Sequence, residues 1–112
     1  MTANRRRGEI AAELDGKMHR LCLTLGALAE LESAYAADDL GALVERFSRG
    51  RLSALDMIRI VGAGLRGAGQ DVNDGDVGRM QALNGATGFA AIVSDLLTAT
   101  FGEPEKQPPS NP

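Results

Sequence analysis

The chain is 112 residues long, a length that suits one domain around a single core. Hydrophobic residues make up 44% and charged residues 24%, and 12 Lys+Arg against 15 Asp+Glu leave a net charge of −3. That acidic balance disfavours a protein that lives by phosphate contacts; no apolar run reaches the ~20 residues that span a bilayer, and one cysteine with one histidine excludes a disulfide framework and a zinc–cysteine cluster.

The first eight residues are polar and carry Arg5, Arg6 and Arg7. They read as a flexible, solvated basic start. Glu9, Glu13 and Asp15 follow where an export signal would need an apolar stretch, so the expected location is cytoplasmic. Glu9–Leu14 and Lys17–Leu23 flank Asp15-Gly16, the strongest short hairpin signal, because both turn residues need positive φ. Pairing Leu14 with Lys17 sets Ile10 against Leu21 and Ala12 against His19. Ile10, Leu14, Leu21 and Leu23 then form the buried face, with Ala11, Glu13, Met18 and Arg20 on the other. A lone hairpin is unstable in water, so helices must cover it.

Thr24 is placed to cap a helix over Leu25–Ala36, in which Leu25, Leu28, Leu31 and Tyr35 recur at helical spacing. Asp38 or Asp39 opens a second helix, ending at Gly50, with the apolar set Leu40, Leu43, Val44 and Phe47. Ser53-Ala-Leu-Asp56 has the capping-box pattern and starts a third helix through Ile58, Val61 and Leu65, which the Gly62–Gly75 stretch loosens or ends. A short helix is expected over Asp76–Leu83, with Val77, Met80 and Leu83 on one face. Thr87 opens the last helix, Gly88–Phe101, with Phe89, Ile92, Val93, Leu96, Leu97 and Phe101 inside. The expected fold class is therefore α+β, mainly α: an N-terminal β-hairpin followed by about four to five short helices around one core. Residues 9–102 form the single globular domain. Pro104, Pro108, Pro109 and Pro112 mark residues 103–112 as a disordered Pro-rich tail.

Several patterns look like sites. Gly62-Ala-Gly64-Leu-Arg-Gly67 matches GxGxxG, but a dinucleotide turn needs a helix opening at the last glycine, and loop sequence follows instead. Asp71-Val-Asn73-Asp74-Gly75-Asp76 resembles the start of a calcium loop, yet Asp76 and Ala82 stand where glycine and a bidentate glutamate are required. His19 and Cys22, three apart on a strand, point to opposite faces. Glu30, Glu32 and Glu45 read as solvation, and Ser33, Ser48 and Ser53 have no base. The expectation is a non-enzymatic protein without catalytic, cofactor or metal residues. The remaining candidate is the face formed by Leu25, Leu28, Leu31, Tyr35 and Phe47. The first four pack on the hairpin as core or hold a partner helix, and the sequence does not divide those roles.

The run Leu23-Thr-Leu-Gly-Ala-Leu-Ala-Glu-Leu-Glu32 after an Asp-Gly hairpin resembles the gene transfer agent family of small siphophage-type tail proteins. Leu43-Val-Glu-Arg-Phe47, Ser53–Asp56 and the Ala90–Phe101 helix fit as well, so the resemblance covers about residues 8 to 102. It implies a role in tail assembly. The first reading is a tail assembly chaperone that masks the apolar stripes of the tape-measure protein, self-associates along it and lets go when tube subunits arrive. The alternative is a structural tail-tube or connector subunit that stays in the particle; tube folds are usually dominated by β-sheet closing into a ring, and one hairpin weighs against that. A DNA-associated module using Arg5–Arg7 is the third and least favoured reading.

Overall fold

The computed structural model describes residues 2–102, and the expected Pro-rich tail of residues 103–112 lies outside them. The chain runs from a short 3-10 turn, Arg5–Arg7, into β1 (Glu9–Leu14), β2 (Lys17–Cys22), α1 (Leu25–Tyr35), α2 (Leu40–Ser48), α3 (Ala54–Gly67), α4 (Asp74–Gly78) and α5 (Gly85–Phe101). This is the expected α+β class, a hairpin followed by five helices.

Asp15 and Gly16 take φ of 54° and 77°, the left-handed pair that a two-residue turn demands. The turn fixes the ladder, with Leu14 opposite Lys17, Ala12 opposite His19 and Ile10 opposite Leu21. Ile10, Leu14 and Leu21 are fully buried and Leu23 nearly so, while Glu13, Met18 and Arg20 face out. The hairpin tip is tied to the far end of the chain. Leu14 bridges Ala82, the Asp15 N–H donates to the Gln81 carbonyl at 2.8 Å, and the Gln81 N–H donates to Asp15 Oδ1 at 2.9 Å.

The cover over the hairpin differs from the sequence expectation. α3 lies across β2 and α5 across β1, while α1 packs on α3 and α2. The reason is in the glycines. A Cβ on Gly64 would stand 2.8 Å from Leu96 Cδ2 and 3.3 Å from Leu21, and one on Gly67 would lie 2.0 Å from the Cys22 carbonyl oxygen. Only a side chain of hydrogen lets the α3 backbone come this near to β2 and α5. The Gly62–Gly67 stretch therefore does not loosen the helix as soon as it begins; α3 continues through it and stops at Ala68.

Side-chain caps start α1 to α4. Thr24 Oγ1 accepts the Ala27 N–H, Asp39 Oδ1 accepts the Ala42 N–H, and the Ser53–Asp56 capping box is complete in both directions. The second capping box, Asn73 with Asp76, occupies the stretch that resembled a calcium loop. It begins α4 two residues earlier than expected and the helix ends at Gly78, leaving Met80 half-buried and Leu83 exposed. α5 begins at Gly85, not near Thr87, after Asn84 takes a left-handed φ of 71° and supplies no side-chain cap. Val93 and Leu96 are its fully buried residues; Phe89, Ile92, Leu97 and Phe101 are partly covered. Among the described residues no helix is long and apolar enough to cross a membrane.

Candidate functional site

The five residues of the candidate face divide between core and surface. Leu28, Leu31 and Phe47 are buried, and they join α1 and α2 to the body of the domain through α3. Leu25, the first helical residue after the Thr24 cap, is 78% exposed. Tyr35 is half-buried at the meeting point of α1, α2 and α3, with its ring edge-on to Phe47 at 5.4 Å.

Tyr35 is the centre of a polar cluster. Its hydroxyl donates to Asp56 Oδ1 at 2.5 Å, and Asp56 Oδ2 accepts the Ser53 N–H at 2.8 Å. Burial opposes the charge on Asp56. The bonds from Tyr35 and Ser53, with Arg46 Nη2 at 3.8 Å, outweigh it and hold the carboxyl below its ordinary value. Burial, and then the bond to Asp56, push the Tyr35 phenol up to about 12, so it stays a donor. The guanidinium groups of Arg46 and Arg59 stand 4.4 Å and 5.2 Å from the Tyr35 ring centroid. Beside this cluster lies a recess of about 210 Å³ lined by Arg46, Arg49, Arg51, Leu52 and Asp56. Three arginines within six residues make the corner between α2 and α3 basic in an acidic chain.

A second polar node ties α1, α3 and α4. Arg66 Nη2 lies 2.6 Å from Glu30 Oε1 and 3.1 Å from Asp74 Oδ1, and Nη1 donates to the Val72 carbonyl at 3.0 Å. A Cβ on Gly62 would collide with Asp74 Oδ1 at 2.4 Å, so the first glycine of the GxGxxG pattern makes room for this node. All three glycines of that pattern lie within a helix and face protein, which is packing and not a phosphate cradle. His19 Nδ1 is hydrogen-bonded to Gln70 Nε2 at 2.9 Å, and Cys22 lies at a recess with Arg7, Glu9, Arg20 and Thr24. Burial and the charge of Glu9 push the Cys22 thiol up, with Arg7 and Arg20 opposing, which disfavours the nucleophilic thiolate. Arg5–Arg7 form their turn against α5, with Arg5 Nη1 2.9 Å from Asp95 Oδ1.

Sequence reasoning reached Asp56 only as a cap and missed Arg46, Arg59 and Arg66. Their partners lie on other elements, and only the crowding of Arg46, Arg49 and Arg51 was visible in the chain itself. Among the described residues no buried side-chain polar atom lacks a partner, and no group of three or more His, Cys, Asp or Glu is placed to hold a metal. What the geometry offers is surface: a basic corner, an acidic start to α2, and exposed Leu25, Leu40, Val44, Leu55 and Leu83.

No curated protein and no solved structure matches the chain. Residues 7–103 match the model of a family described as phage tail tube protein, GTA-gp10, a span that takes in the hairpin and every helix. The chain therefore belongs to this phage tail tube protein family of gene transfer agents.

Proposed function

We propose that the protein is a non-enzymatic structural subunit of a phage-like tail, self-associating with other copies and remaining in the finished particle of a gene transfer agent or prophage. The observation that carries this reading is the family match over residues 7–103, described as tail tube protein. The mode of action is contact, not chemistry. A small rigid domain with polar nodes at Tyr35–Asp56 and Arg66 presents apolar side chains on α1, α2 and α3 to neighbours. The cytoplasm is its place before assembly, no cofactor takes part, and the acidic balance supports protein partners over nucleic acid.

The second reading is a tail assembly chaperone that binds the tape-measure protein during morphogenesis and then leaves. It is favoured by the small β content, one two-stranded sheet among the described residues, together with exposed Leu25, Leu40 and Leu55 on helices suited to mask an apolar stripe. The test is quantitative mass spectrometry of purified particles alongside co-expression with the tape-measure protein of the same particle. Stoichiometric copies in particles establish the structural subunit. A soluble complex with the tape measure, absent from particles, overturns it in favour of the chaperone.

A further inference from the structure

We propose that the acidic segment of residues 103–105 folds back over the open end of its own hairpin and closes the recess there as a strap. The recess has a volume of about 310 Å³, and Arg7, Glu9, Arg20, Cys22 and Thr24 stand around it with the end of α3. The segment lies outside the described residues, but the place where the chain leaves them is fixed. The last turns of α5 pass beside the start of β1. Arg5 Nη1 lies 2.9 Å from Asp95 Oδ1, and a Cβ on Gly8 would stand 3.7 Å from the Ala99 carbonyl oxygen. Gly8 joins Arg7 to Glu9, two residues of the recess wall. Glu103 and Glu105 follow Gly102 by one and three residues, a reach of up to about 10 Å.

The chemistry of the recess suits that segment. It is basic in an acidic chain. Arg20 and the neighbouring Arg6 have no ionic partner within 4.0 Å among the described residues, and Arg7 reaches only Glu9, at 3.8 Å, with its own side chain 73% exposed. The rim also holds the start of α1 at Thr24. The first turn of α1 carries no acidic residue, whereas α3 has Asp56 there and α4 has Asp74 and Asp76. A carboxylate arriving at this end meets the positive pole of the helix. Beside Thr24, Leu25 is exposed, and Pro104, set between the two glutamates, brings apolar surface to lay on it.

The occupant is the chain's own segment because it starts beside the recess. Docking then closes only a short loop, and the local concentration of the segment exceeds that of any second copy. Exposed ion pairs are weak singly and screened by salt, so the strap opens readily, and a neighbour presenting carboxylates of its own displaces it. The contact covers Cys22 and Leu25 while the protein is alone. It holds whether finished particles keep the protein or release it.

Cys22, the single cysteine of the chain, serves as the reporter. The experiment is alkylation of the full chain with uncharged iodoacetamide at low and high salt. Rates are taken over a range of pH and extrapolated to full thiolate, which separates access from ionisation. Wild type is expected to react slowly at low salt and about three- to tenfold faster at high salt. E103K/E105K should react fast at both. R20E should fall between, and K106E, which makes the segment more acidic, should slow the reaction further. In NMR spectra the amide signals of Arg20, Thr24 and Ala68 should shift between wild type and E103K/E105K, and circular dichroism checks that every variant keeps its fold. Rates that ignore salt and the E103K/E105K exchange in folded protein would overturn the proposal, as would amide signals that stay in place. Protection that rises with protein concentration would overturn it too, by giving the recess to the segment of a second copy.

Discussion

α3 and α2 show two ways of attaching a helix to one core. α3 is held by the closeness of backbones: Gly64 and Gly67 leave no room for a methyl group against Leu21, Leu96 and the Cys22 carbonyl. α2 is held by two inserted side chains, Leu43 and Phe47, and by the polar junction of Arg46 with Asp56. The first attachment covers the helix on several sides; α3 has seven buried residues, against two on α2. A backbone contact of this kind tolerates no added volume. A knob-like contact tolerates change around it and leaves the opposite face free to meet something else.

Substitutions that attack each attachment test the contrast. Gly67→Val should do the most damage, because helix and strand must separate to admit the side chain. A loss of about 3 kcal/mol is expected from overpacking, read as a lower denaturant midpoint. Leu43→Ala should cost about 2–3 kcal/mol by leaving a cavity under α2. If the two helices are attached as described, hydrogen exchange will rise locally over α2 in Leu43→Ala and across the whole domain in Gly67→Val.

Tyr35→Phe should cost about 1–2 kcal/mol, since Asp56 stays buried and loses a charge-assisted donor. The same cluster sets an acid limit. The Asp56 carboxyl is held below its ordinary 3.8, so its contribution to stability is fully present above that pH and is lost as pH falls through the folded value. Asp56→Asn should flatten this part of the acid unfolding curve. Tyr35 has the opposite sign: its stabilisation holds below pH 10 and fades as pH rises towards 12. The smallest effect is expected at Gly26 of α1, where a Cβ would meet nothing closer than Thr24 Oγ1 at 3.8 Å. Gly26→Ala should stabilise by up to about 0.5 kcal/mol, a gain in the thermal midpoint that no glycine on the packed face of α3 will give.

The hairpin register was legible because a two-residue Asp-Gly turn leaves one way to pair the strands. The Ser53 box was legible because a cap and its reciprocal partner lie three residues apart. What could not be read were choices made by residues distant in the chain. Gly64 and Gly67 look like helix breakers until Leu21 and Cys22 are placed beside them. Leu25 fits the apolar stripe by spacing, yet it stands at the helix entrance beside the Thr24 cap and is exposed. The start of α5 was missed because Asn84 enters it through a left-handed backbone with no side-chain cap to announce it. The Tyr35–Asp56 pair, 21 residues apart, carries no local signal at all.

The bond between Asp15 and Gln81, 66 residues apart, also bears on the order in which the protein is made. The hairpin leaves the ribosome before the α-helices, but its apolar face waits for α3 and for α5, and its tip waits for residue 81. Closing so long a loop carries an entropic cost that no contact offsets until the last helix docks. During synthesis Ile10, Leu14 and Leu21 therefore stay uncovered until nearly the whole domain has emerged. A ribosome that stalls within α5 leaves a chain with an adhesive start and no lid.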